Sequence, residues 1–138
     1  MAAQFQNSRL LRDAALTITN ALPNNTTSYT TNYLDIGAGP FNPEEIEVEI
    51  QVPAIAAHTT TNNLTIQLIT SATIQATSSF AATNPTVIMN VVGVGSSGSV
   101  ATTVRFKLPP GTLRYIAFAM IATTDDCSAV TITASILV

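Results

Sequence analysis

At 138 residues the chain has the length of one domain, and with 9% charged residues and a formal net charge of −3 it lacks the basic face that nucleic-acid binding needs. Thr, Ser, Asn and Gln stand where charge would ordinarily be; Thr suits a pleated, half-buried surface, and Ala apart the strong helix formers are sparse, so the composition predicts an all-β protein. No apolar run reaches membrane-spanning length, and the single cysteine, Cys127, excludes an intramolecular disulfide.

Residues 1–14 differ from all that follows and are expected to form an N-terminal arm, with residues 15–138 as a β-sandwich domain. Ser8 could cap one or two helical turns reaching Ala14, too short to be stable unless docked. The arm has no signal-peptide pattern, so synthesis in the cytoplasm is expected. Leu16–Thr19 alternates and opens the sheet structure, and Ser28–Ile36 reads as an extended, partly irregular segment. Two glycines and two prolines make residues 37–43 a loop.

Glu45–Val52 is the clearest strand. Ile46, Val48, Ile50 and Val52 share one face, and Glu45, Glu47, Glu49 and Gln51 share the other, which a helix would scatter. Leu64–Thr70 and Thr86–Val92 follow as strands, and Gly93–Ser99 as a flexible connection. Arg105–Ala122 reads as a polar-faced strand, a type II turn with Pro110 and Gly111 at its centre, and an almost wholly apolar strand hairpinned onto the first. Ala129–Val138 closes the chain in a strand whose end is expected to be paired. The count of about eight short strands separated by turn signals predicts an antiparallel β-sandwich or jelly roll.

Chemistry is sparse. Glu45, Glu47 and Glu49 stand in one line on a strand, about 7 Å apart, whereas a bound cation needs oxygens converging from several directions; a solvated face, or pairing with Arg105 and Lys107, explains them better. His58 lies in a polar loop, and a His58–Cys127 pair has no surrounding nucleophile motif. The carboxylates beside Cys127 raise a thiol pKa rather than activate it, and Asp125-Asp126 suits a turn. Arg114, at the head of the apolar strand, needs a carboxylate or carbonyl partner on a neighbouring strand or subunit. No catalytic, cofactor or metal site is expected.

Phe106-Lys107-Leu108-Pro109-Pro110-Gly111-Thr112-Leu113-Arg114-Tyr115 resembles the "LP-GT-RY" segment of the jelly-roll capsid cement, or decoration, proteins of tailed bacteriophages of the Bordetella-podophage type. Leu10-Leu11-Arg12-Asp13-Ala14, Tyr33-Leu34-Asp35-Ile36-Gly37 and Leu64-Thr65-Ile66-Gln67-Leu68-Ile69-Thr70-Ser71 are similar to other family motifs, in the same order; residues 72–99 do not align. The resemblance implies a non-enzymatic virion protein on the capsid exterior, without cofactor, membrane or direct nucleic-acid contact. It would be a homotrimer that binds the major capsid protein. The arm and one sheet edge are the expected contacts, with Phe5, Arg9, Leu10, Leu11, Arg12 and Arg114 as candidate capsid or subunit residues. The other reading is a head- or tail-associated receptor- or carbohydrate-binding module, for which Tyr29, Tyr33 and Phe41 are the aromatic candidates near loops.

Overall fold

The computed structural model describes residues 12–24, 28–37, 45–59, 63–73, 83–93, 97–122 and 125–137. The described strands are β1 (Arg12–Ala21), β2 (Ser28–Thr30), β3 (Leu34–Asp35), β4 (Glu47–Val52), β5 (Asn63–Ser71), β6 (Thr83–Val92), β7 (Thr102–Lys107), β8 (Tyr115–Ala122) and β9 (Thr131–Leu137). One antiparallel sheet runs β1-β9-β4-β7; the other runs β2-β8-β5-β6, with β3 also on β8. The two sheets pack face to face as an antiparallel β-sandwich. Its strands trade sheets at most connections, in the order of a jelly roll.

β2 and β3 are two pieces of one strand. β2 pairs with β8 from Ser28↔Ile121 to Thr30↔Ala119, and β3 resumes at Leu34↔Ile116 with one residue extra on its side. Thr31 bridges the break. Its N–H donates to the Phe118 carbonyl at 2.9 Å, and its hydroxyl oxygen accepts the Phe118 N–H at 3.0 Å. A side chain thus stands in for the carbonyl that the bulge withdraws from the ladder.

Strand alternation places the core between the layers. Val48, Ile50 and Val52 of β4 and Ile132, Ala134 and Ile136 of β9 face Leu64, Ile66 and Leu68 of β5 and Ile116, Phe118 and Met120 of β8. Phe118 is fully buried, a burial that contributes about 1.5–3 kcal/mol. The end of β5 and the start of β8 are buried on both faces: Ile69, Tyr115 and Ala117 form a smaller apolar cluster on the outer side of their sheet. That double burial explains the unbroken apolar run with which β8 begins.

Three expectations change. The Arg105–Ala122 segment is not a hairpin, because β7 pairs with β4 while β8 pairs with β2, β3 and β5 in the opposite layer. The turn itself is as expected: the Thr112 N–H reaches the Pro109 carbonyl at 3.2 Å, and Gly111 takes φ +83°. It carries the chain across the sandwich instead of folding it back on its neighbour. β1 already begins at Arg12, so residues 12–14 extend the sheet and are not helical; the rest of the arm, like Val138, lies outside the described residues. β6 reaches back through Pro85 to Thr83. Proline is tolerated there because β6 is an edge strand, and the register shifts twice along its pairing with β5.

Candidate functional site

Strand direction sorts the loops. The β3–β4, β5–β6 and β7–β8 connections lie at one end of the sandwich, with the starts of β1, β4 and β8. The β1–β2, β4–β5, β6–β7 and β8–β9 connections lie at the other.

At the first end a groove of about 620 Å³ opens between the layers. Leu16, Ile36, Ile46, Ile136 and Leu137 make it apolar, while Glu45, Glu47 and Lys107 bring charge to it. Beside it, Arg114 holds Asp35 with two parallel hydrogen bonds, Nε to Oδ1 and an Nη to Oδ2, each 2.8 Å. The Gly37 N–H donates to Asp35 Oδ1 at 2.9 Å. These donors, Arg114 first, hold the Asp35 carboxyl down to about 2, and the same pairing pushes the Arg114 pKa up. The guanidinium also lies over the Tyr115 ring, 5.0 Å from its centroid, and Tyr33 meets that ring edge-on at 5.5 Å. Arg114 therefore has the carboxylate partner its position demanded, on a neighbouring strand of its own chain.

The six candidate contact residues divide by what the structure describes. Phe5, Arg9, Leu10 and Leu11 lie outside the described residues. Arg12 begins β1, its backbone opposite Leu137 of the groove, and Arg114 stands at the same end. Of the aromatic candidates, Tyr33 is 37% exposed and gives an edge contact to Tyr115, β2 carries Tyr29, and Phe41 lies outside the described residues.

The glutamate row is not a solvated face throughout. Glu45 is exposed, but Glu49 is only 2% exposed. Glu49 accepts from Arg105 Nε at 2.6 Å and from Gln51 Nε2 at 2.8 Å. The register continues the contact across the sheet, with Glu49 opposite Ser135 and Ser135 opposite Thr17, whose hydroxyl donates to the serine at 3.3 Å. A polar row thus crosses four strands, and pairing with β7, the other explanation for these glutamates, holds at Glu49. Among the described residues no group of carboxylates, histidines or cysteines could hold a metal ion.

At the opposite end His58 is buried, its Nδ1 2.9 Å from Asp125 Oδ2 and its Nε2 2.9 Å from the Val91 carbonyl. Cys127 is not its partner. That thiol is buried too, and burial followed by the nearby Asp125 and Asp126 carboxylates pushes its pKa up. Asp126 does make the expected turn, accepting from the Ser128 N–H at 2.9 Å and hydroxyl at 2.6 Å. Asp125 does something else, and the sequence signal for it was the strand order, which brings the β4–β5 and β8–β9 loops to the same end.

Among the described residues no helix is long and apolar enough to cross a membrane. No protein family and no curated protein matches the sequence, so the likeness to capsid cement proteins stands on the short motifs quoted above.

Proposed function

We propose that this protein is a structural virion protein, a capsid cement or decoration protein. It binds the outer surface of an assembled shell and stabilises contacts between major capsid protein subunits. In this reading it is made in the host cytoplasm, joins the shell as a homotrimer, uses no cofactor and performs no catalysis.

The observation that carries the reading is a grouping at one end of a weakly charged jelly roll. Strand β1 begins there at Arg12, the apolar groove opens there, and the Arg114–Asp35 and Tyr33–Tyr115 contacts stiffen the rim beside it. A rigid sandwich with its contact features at one end can bridge shell subunits, and many copies, each adding a modest interface, accumulate into large avidity. The motif order from Leu10 to Tyr115 points the same way.

The test is to purify particles formed with and without this protein. The protein is expected on the capsid exterior by electron microscopy, and particles lacking it are expected to break at lower temperature. Its absence from purified capsids, or unchanged particle stability after its loss, overturns the reading. Solution mass should show a trimer. Glycan-array binding with no capsid association would instead place the protein in the carbohydrate-binding class.

A further inference from the structure

For both contacts of His58 to be hydrogen bonds, the site needs one proton more than a neutral histidine and a carboxylate carry between them. The Val91 carbonyl can only accept, so Nε2, 2.9 Å away, must carry a hydrogen. At the same distance on the other side, Nδ1 meets an Asp125 oxygen. That contact also needs a proton, either on Nδ1 as an imidazolium or on the carboxyl group donating to Nδ1. With both contacts made, the imidazole and the carboxyl group share two protons. Remove one and a buried lone pair must face either the carboxylate or the carbonyl, so one hydrogen bond is lost where water does not replace it.

We propose that His58, Asp125 and the Val91 carbonyl form a proton-dependent latch, closed when the shared proton is present and released when it leaves. The latch joins three separate parts of the chain: the β4–β5 loop, the β8–β9 loop and the end of β6. Backbone contacts also tie this end, among them Ile55 with Ser99, Leu22 with Val130 and Cys127 with Pro23. None of these responds to pH in the neutral range.

The electrostatic setting is simple. Across residues 20–27, 53–63, 93–101 and 122–130, which make up the four connections, the ionisable side chains are His58, Asp125, Asp126 and Cys127. Asp126 is exposed, and its Ser128 hydrogen bonds lower its pKa, so it is a carboxylate at neutral pH; the Cys127 thiol is held neutral by its raised pKa. No Lys or Arg occurs in these segments. Within these four segments a protonated His58 is therefore the only positive charge, and it faces a carboxylate. The inference concerns the end of the sandwich opposite the groove and does not depend on the proposed function.

His58 is the chain's only histidine, so its ring nitrogens give unambiguous NMR signals. In the folded wild type at about pH 6, long-range ¹⁵N–¹H correlation should show Nε2 protonated. Nδ1 should be either protonated or hydrogen-bonded to a proton on Asp125. Raising the pH until the shared proton leaves should shift both nitrogens in one step and lower the Tm in that same step. Asp125→Asn is the decisive variant. Its amide can donate to Nδ1 of a neutral ring that still donates to Val91, so both contacts survive without the extra proton. D125N should therefore lose the Tm step. A wild-type ring that is neutral at pH 6 opposite an ionised Asp125, or a Tm profile with the same step in both proteins, overturns the proposal. Should D125N fail to fold, the wild-type nitrogen shifts decide alone.

Discussion

Glu49 and Arg105 sit directly opposite each other on β4 and β7, and the carboxylate is buried while its guanidinium partner is 48% exposed. The two members should therefore respond unequally to mutation. Arg105→Ala strands a buried carboxylate with fewer donors and should cost about 1–3 kcal/mol, less than a fully enclosed pair because water reaches the arginine side. Glu49→Gln removes the charge, leaves the arginine in water and should cost about 1 kcal/mol or less. Urea unfolding of both variants tests the order; equal losses would mean that the pairing does not govern the site.

Asp35 predicts an acid limb in the stability profile. Its folded pKa of about 2 lies below the ordinary 3.8, so its contribution is fully present above about pH 4 and is lost as the pH falls through 2. Stability should therefore rise with pH across that window. Asp35→Asn should flatten this part of the profile, and Arg114→Ala should do the same by removing the main donor. Thermal melts between pH 2 and pH 5 provide the check, and an unchanged acid slope in D35N would exclude the assignment.

Gly98 and Ser99 are adjacent and should behave in opposite ways. A β-carbon on Gly98 would collide with the Ile55 carbonyl oxygen, at a φ of +70° that only glycine adopts freely. Gly98→Ala should cost more than about 3 kcal/mol, since backbone atoms must move. Among the described residues the buried Ser99 hydroxyl finds no partner, so Ser99→Ala should be neutral within about 0.5 kcal/mol or slightly stabilising. Chemical denaturation of the two variants side by side separates backbone strain from side-chain chemistry.

Thr31 offers a test of the patched strand. Thr31→Val keeps the shape but removes the oxygen that receives the Phe118 N–H, and should cost about 1–3 kcal/mol. Thr31→Ser restores the acceptor and should recover most of the loss. Amide exchange at Phe118 should accelerate in the valine variant and return toward wild type in the serine variant.

The parts of this fold that local chemistry decides were legible in the chain. Alternation from Glu47 to Val52 specified a strand and its inward face, and Pro110-Gly111 specified the type II turn. Which strands the turn connects was not legible, because a Pro-Gly corner has the same local chemistry whether its arms pair together or part to opposite sheets. Glu49 is buried by neighbours that its own period-2 pattern does not reveal. His58 and Asp125 lie 67 residues apart, and each reads locally as an ordinary loop residue. The groove likewise draws on β1, β4, β7 and β9, so it emerges only once the sheet order is known. Arg114 was the exception: a charged residue entering an apolar strand announced its need for a partner, and Asp35 supplies it.

The place of β9 between β1 and β4 has a consequence for biosynthesis. β1 and β4 leave the ribosome before the strand that joins them, so the first sheet cannot assemble in chain order. The opposite layer can pair β5 with β6 early, yet it gains β8 only late. Most of the strand pairing therefore waits for distant segments, a topology that slows folding and leaves strand edges exposed on the nascent chain. In an arrest series in which a flexible C-terminal linker of increasing length carries the chain out of the exit tunnel, protease resistance should appear abruptly once β9 (Thr131–Leu137) is exposed, not accumulate strand by strand.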